Sequence, residues 1–465
     1  MTTFIVSNLN DAGAGSLRAA IDAANAANAN AASDGAASSV ITFAVAGTIT
    51  LASALPAITS SVVLDATTAP GYDVAQSPVV TLDLNQQDGL VFTTGAQGSG
   101  LYGLAIGGAA GDGVTLQAGG MTLDKNYIGL AADGSALANG GDGILMGATA
   151  AGNVIGLNES GDQGVVSNVI ANNAGNGIAI SGGSGHTLAA NRIGTDPTGE
   201  IDMGNTGHGV HLTNATTGNT IGGTVYVDGA TGAVNNPTGT KGTVEPVFVV
   251  PPLGNQISGN DGHGVLIDTG SQNNMLNGNF IGTRADGNAP IGNGGHGVLI
   301  SEADNNALIG CAFVDEPFVY YNVLSGNAGD GLRITDSDNT TVQANFFGVG
   351  ANNATLVGNA GNGIRVGGDS SNTTVGGVIP LGNVSGGNTL NGIYVTDSAS
   401  DFISFNTFGG LFAFQGAAPN GQNGIEIDAT GGGNELRTNV LSGNLGNGIE
   451  ISGHARDVSI DPNIA

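Results

Sequence analysis

A short phrase recurs along the chain: in most copies Gly, then in all of them Asn, Asp or His, then Gly, then an apolar-x-apolar triplet. It is centred on Asp112-Gly113, Asp142-Gly143, Asn176-Gly177, His208-Gly209 and His263-Gly264, and again on His296-Gly297, Asp330-Gly331, Asn362-Gly363, Asn391-Gly392, Asn423-Gly424 and Asn447-Gly448. Most spacings are about 30 residues, the period of a solenoid repeat. Self-similarity at a fixed period constrains a fold more than any local pattern, because each repeat must bury its apolar side against its neighbours.

A second phrase, Asn-x-apolar-Gly/Ser, falls between occurrences of the first, as in Asn126-Tyr127-Ile128-Gly129, Asn191-Arg192-Ile193-Gly194, Asn279-Phe280-Ile281-Gly282, Asn345-Phe346-Phe347-Gly348 and Asn406-Thr407-Phe408-Gly409. A third, weaker apolar pair completes the period, as at Thr187-Leu188 and Thr341-Val342. Each period therefore holds three short strands joined by Gly/Asn turns. Strands this short pair only if the chain coils and each meets its equivalent one turn later. The expected fold is all-β: a right-handed parallel β-helix, a single solenoid of three parallel sheets. The recurring Asn is read as a turn residue that tolerates left-handed φ and bonds the next coil's backbone. A leucine-rich repeat shares the period but needs a helical segment and a leucine pattern that are missing.

Composition agrees. Glycine is 84 of 465 residues without a triplet period, which excludes collagen, and 40% hydrophobic residues exclude disorder. Nine Lys and Arg against 37 Asp and Glu give 9 − 37 = −28. Such a surface repels nucleic acid and anionic membranes, so neither is an expected partner. Its first use is solubility, and it also favours cations. The single cysteine, Cys311, lies in an apolar run and is read as a buried structural thiol. No stretch is long and apolar enough to cross a membrane. The opening Met1-Thr2-Thr3-Phe4-Ile5-Val6 lacks a basic and apolar leader, so the export signal of a secreted or cell-surface protein is not visible in this chain.

Open coils expose strand edges and need covering. Gly15 to Ala27 reads as an amphipathic helix with Ser16 as its N-cap and Leu17, Ala20, Ile21 and Ala24 on one face. It is expected to lid the first coil. The organisation is one β-helix domain over 1–465: a strand and capping helix over 1–39, irregular coils over 40–108, and regular coils over 109–465 with an insertion near 224–254. The C-terminal coil has no comparable helix, so it is expected to pack on another molecule, self-association included, unless the native protein continues.

The opening Phe4 to Asn8, followed by Asp11-Ala12-Gly13-Ala14-Gly15-Ser16-Leu17-Arg18-Ala19-Ala20-Ile21, resembles the N-terminal segment of bacterial surface proteins named for a Cys-Ser-Leu-Arg-Glu-Ala motif. Gly15 stands in place of the Cys and Ala19 in place of the Glu. The phrase from Asn191 through Thr195-Asp196-Pro197-Thr198-Gly199 to Val210 is similar to the repeat of parallel β-helix proteins with that opening. The resemblance implies a large exported protein and says little about activity, since the same helix carries pectate lyases, polygalacturonases and alginate epimerases.

No nucleophile elbow, P-loop, dinucleotide fingerprint or zinc spacing occurs. Carboxylates one coil apart satisfy the spacing of glycoside hydrolysis anywhere on such a scaffold, so that spacing alone selects nothing. The histidines at 208, 263 and 296 replace Asn or Asp at one turn position and are expected to stack, as turn residues before metal ligands. The middle residues of successive Gly-apolar-x-apolar strands form an expected outward column: His211, Leu266, Leu299, Arg333, Arg365, Tyr394, Glu426 and Glu450. Its second half suits a sugar chain lying along the helix, so Arg333, Arg365, Tyr394, Glu426 and Glu450 are the candidate ligand-binding residues. The bland alternative is a solvated face of weak ion pairs. Acidic loops after the second phrase make Asp196, Glu200 and Asp202 candidate calcium ligands, although Asp in a loop is usually a turn former. The function expected is an exported structural or adhesive protein that binds polysaccharide or cell-surface components. The alternative is a polysaccharide-active lyase, epimerase or glycoside hydrolase.

Overall fold

In the computed structural model the described residues are 2–29, 39–73, 78–156, 167–223, 254–312, 319–377, 381–410 and 416–464, with strand backbone alone at 226–227, 234–235, 248–249, 311–312 and 319–320. The insertion near 224–254 and the Cys311 side chain therefore lie outside the described residues. Contacts divide the chain into two compact units. The first comprises residues 1–198 and 203–210, with 225–251; the second comprises 199–202, 211–224 and 252–465.

The first unit is a stack of coils with three parallel sheets. Sheet A runs from Thr3–Val6 to Thr187–Leu188, sheet B from Gly47–Thr50 to Arg192–Ile193, and sheet C from Leu90–Phe92 to Ile178–Ser181. The register is regular, as where Val91, Thr115, Leu145 and Ala179 lie in line across sheet C. The second unit repeats the plan. Sheet A ends at Val458–Ile460, sheet B at Val440–Leu441 and sheet C at Ile449–Ile451. The chain is thus a right-handed parallel β-helix, as its repeat predicts.

Alternation explains the core. In sheet C of the second unit the flanking residues of each strand, such as Val265, Ile267, Ile300, Leu332, Ile364 and Ile425, are fully buried. Each such side chain contributes about 1.5–3 kcal/mol on burial. The middle residue points outward and is half-buried.

The capping helix is observed over Leu17–Ala29. Ser16 Oγ accepts from the Ala19 N–H at 3.2 Å, and Leu17, Ala20, Ile21 and Ala24 are buried against the first coil. These are the residues whose 3.6-residue spacing marked the helix.

The recurring asparagines do one of the two tasks expected of them. Asn255, Asn279, Asn322, Asn345 and Asn383 form a buried ladder: Oδ1 of Asn279, Asn322 and Asn383 accepts the backbone N–H of the preceding member at 2.9–3.1 Å, and Asn345 Oδ1 accepts Asn322 Nδ2 at 2.8 Å. The left-handed φ belongs instead to the residue before, as at Lys125, Ala190 and Ala344. A ladder residue must hold its side chain inward against the next coil, and the tight bend is made one position earlier. Asn406 shows the separation: it takes the left-handed place, φ 52°, and Thr407 stands on the ladder, its N–H donating to Asn439 Oδ1 at 3.1 Å.

A second difference concerns sheet B. Its outward residues in the second unit, Phe280, Val323, Phe346 and Val384, are not a solvated face. Loops 283–290 and 349–356 close on themselves and stack, with the Ala351 N–H donating to the Gly287 carbonyl at 3.0 Å. Beneath them Val323, Phe346, Val349, Val384 and Ala418 make a second apolar layer outside the coil, joined by Tyr321 stacked on Phe346 at 3.9 Å.

Candidate functional site

The outward face of sheet C in the second unit carries the candidate column. Leu266, Leu299, Arg333, Arg365, Tyr394, Glu426 and Glu450 are direct partners from strand to strand. Parallel pairing spaces them by about 4.8 Å. His211 Nε2 sits 3.0 Å from Asp268 Oδ2. The structure therefore brings all five predicted ligand-binding residues onto one line.

Arg333 and Arg365 lie side by side, and like charges directly opposite one another are destabilising. Among the described residues no carboxylate is within ion-pair distance of Arg333. Arg365 reaches Asp397 only at 4.0 Å, and its guanidinium lies over the Tyr394 ring, 5.6 Å from the centroid. The tyrosine face is thereby held beside a cation.

The two glutamates are held alike. Asn423 Nδ2 donates to Glu426 Oε2 at 3.2 Å, and Asn447 Nδ2 to Glu450 Oε2 at 3.3 Å. With Gln422 and Leu445 they line an open depression of about 430 Å³. Sequence reasoning missed these asparagines as site residues. The signal was present: they occupy the polar position of the first phrase, three residues before the column member. Asp397 was missed because it stands in the turn after the strand, where spacing varies.

The same polar position forms a ladder along the edge of the column. His263 Nδ1 accepts the His296 N–H at 2.9 Å, and His296 Nδ1 accepts the Asp330 N–H at 2.9 Å. Asp330, Asn362 and Asn391 continue it through their Oδ1 atoms. The two rings stack at 5.1 Å and 8°, as expected for equivalent turn residues. An imidazole that accepts through Nδ1 carries its proton on Nε2, so it presents an N–H rather than a metal ligand. Burial holds His296 below its ordinary value, Asp330 opposes this, and Arg333 and Arg365 reinforce it.

The acidic loops give oxygens to neighbouring turn residues or to a side chain of another loop. Asp196 Oδ2 accepts from the Thr198 backbone at 3.1 Å and its hydroxyl at 2.6 Å. Glu200 pairs with Arg284 at 3.2 Å, and Asp202 is exposed. Asp133 and Asp286 make the same kind of turn with Ser135 and Asn288. Among the described residues no group of three or more His, Cys, Asp or Glu is placed to hold a metal. Asp133, Asp196 and Asp286 thus act as turn formers and Glu200 as an ion-pair partner.

Solved structures similar to this chain include the A-module of a mannuronan C-5 epimerase from Azotobacter vinelandii, 12% identical over 97% of each chain with a TM-score of 0.39. Dettilon tailspike protein is 13% identical over 98% of this chain and 68% of its own, at 0.40. A periplasmic alginate epimerase is 11% identical over 91% of this chain and 76% of its own, at 0.37. No protein-family model matches the chain, the opening segment included, and no curated protein matches it. At such identities and scores the likeness carries nothing about activity.

Proposed function

We propose that this chain is an exported, noncatalytic β-helix that binds a polysaccharide along the outer face of sheet C in its second unit. The observation that carries this reading is the unbroken line Arg333, Arg365, Tyr394, Glu426 and Glu450, one side chain per coil, with the guanidinium of Arg365 on the Tyr394 ring. Two adjacent arginines, Arg333 with no acid in ion-pair reach among the described residues and Arg365 with Asp397 only at 4.0 Å, suit a carboxylate or other anionic group, which guanidinium binds in bidentate fashion. The tyrosine suits a pyranose ring, and the glutamate end suits hydroxyls. An acidic sugar is expected nearer the arginines.

One observation favours the enzymatic alternative. Glu426 and Glu450 are partners on adjacent strands beside an open depression, close to the ~5 Å separation of a retaining glycosidase. Such a pair needs one protonated and one ionised carboxyl, set apart by unlike surroundings. Here both are half-exposed and both accept one Asn Nδ2, so nothing distinguishes an acid from a nucleophile.

The test is a panel of acidic and neutral polysaccharides, read for binding and for new reducing ends or unsaturated uronates. Binding without turnover is expected, and robust turnover defeats the noncatalytic reading. The Arg333→Ala/Arg365→Ala double variant should lose at least tenfold in affinity, the order of one lost charged hydrogen-bonding pair, with its melting temperature nearly unchanged. Intact affinity in that variant would remove the ligand from this face.

A further inference from the structure

Leu266 and Leu299 precede the arginines on the outward line of sheet C. They are direct partners on adjacent strands, each half-buried, and the line passes from Leu299 straight to Arg333. A single leucine on a surface needs no explanation, but two in register make a continuous apolar patch.

The ladder walls one flank of that patch. His263 and His296 stand three residues before the two leucines, as Asn423 stands before Glu426, where the spacing brings the Asn side chain to its column member at 3.2 Å. The rings are fixed by stacking at 5.1 Å and by Nδ1 accepting N–H groups of the following coil at 2.9 Å. A ring that accepts through Nδ1 is neutral, so the wall is rigid and uncharged. On the other flank Asp268 and Glu302 follow the two strands, and Asp268 is bonded to His211 at 3.0 Å. Carboxylates on that side repel a ligand anion. An anionic group therefore belongs on Arg333 and Arg365, and a neutral, apolar one on the leucines.

We propose that Leu266 and Leu299 form an apolar subsite continuous with the arginines, and that the bound polysaccharide carries a methyl group one or two residues from its carboxylate. This inference rests on the polysaccharide reading of the same face. Coils rise by about 4.8 Å, close to the advance of one pyranose residue in an extended chain, so neighbouring residues of one ligand reach both subsites. Two kinds of sugar supply the methyl group: an acyl ester and a 6-deoxy sugar. Each methyl group removed from water there adds about fourfold in affinity.

Three probes distinguish the sources by calorimetric titration: fragments of acylated gellan, a glucuronate polymer that also holds a 6-deoxy sugar; the same fragments after alkaline deacylation; and polygalacturonate, which has neither group. Acylated gellan should bind at least fourfold tighter than polygalacturonate. Loss of that margin on deacylation assigns the methyl group to the ester, and its retention assigns it to the deoxy sugar. Leu266→Ser/Leu299→Ser should erase the difference among the three. Leu299→Arg, which repeats the residue of the next two coils at this position, should reverse the order in favour of polygalacturonate and serves as the test should the serine variant lose its circular dichroism spectrum. Polygalacturonate binding as tightly as acylated gellan in the wild type, or a preference that survives the leucine variants, would overturn the apolar subsite while leaving the arginine site standing. Arg333→Ala/Arg365→Ala should weaken all three probes. No effect of that variant, or no binding of any probe, would remove the reading of the whole face and this inference with it.

Discussion

His186 shows how one substitution inside a ladder gives the fold a pH response. Ladder positions are mostly Asn, which cannot titrate, and His186 takes such a place, its Nδ1 accepting the Asn153 N–H at 3.1 Å. Burial pushes its pKa down from 6.5 to about 4. The unfolded chain takes a proton at 6.5 and the folded chain resists until about 4. The stability of the neutral ring is therefore complete above 6.5 and is lost as the pH falls between those values. A depression of this size corresponds to about 3 kcal/mol. Chemical denaturation of the wild type should show that loss between pH 7 and 4.5. His186→Asn, which restores the ladder's usual residue, should flatten the profile by most of that amount. The rest belongs in part to His296, shifted in the same direction by burial. An unchanged slope in the variant would mean that His186 is protonated in the fold.

Within one strand, inward and outward describe the coil and not the solvent. Phe346 and Tyr394 are both outward residues, on sheets B and C. Phe346 is 3% exposed under the stacked loops, whereas Tyr394 is half-buried on the open face. Phe346→Ala should therefore cost about 3–5 kcal/mol, the penalty of emptying a core. Tyr394→Ala should cost well under half of that and should act on ligand affinity instead. Urea midpoints at constant m-value separate the two. Equal small losses would mean that the loop layer adds no stability.

At the scale of the whole molecule, the two chain ends are treated differently. The N-terminal coil is closed by its own helix, and the C-terminal coil presents Ile451 and Ile460. Ile21 is 1% exposed beneath the helix. Ile21→Ala should weaken the cap by about 2–5 kcal/mol. Opening the first coil would expose strand edges on three sheets, so the visible consequence is earlier aggregation on heating, followed by light scattering. Unchanged scattering onset would show that the first coil needs no lid.

The repeat spacing and the in-out alternation determined the β-helix, the capping helix and the shared line of Arg333, Arg365, Tyr394, Glu426 and Glu450, because each follows from period and local pattern. Only the tertiary structure decided which outward faces meet water. Sheet B is roofed by loops that stack on one another across coils, and no spacing within a single repeat encodes that contact. It also decided that the bend and the ladder fall on neighbouring residues, as Asn406 and Thr407 show, since both tasks suit Asn equally in sequence. The bonds of Asp196 to Thr198 and of Glu200 to Arg284 were hidden for the same reason. A carboxylate in a loop reads alike whether it accepts a hydroxyl two residues on, as Asp196 does, or a guanidinium of another loop, as Glu200 does, and the fold makes that choice.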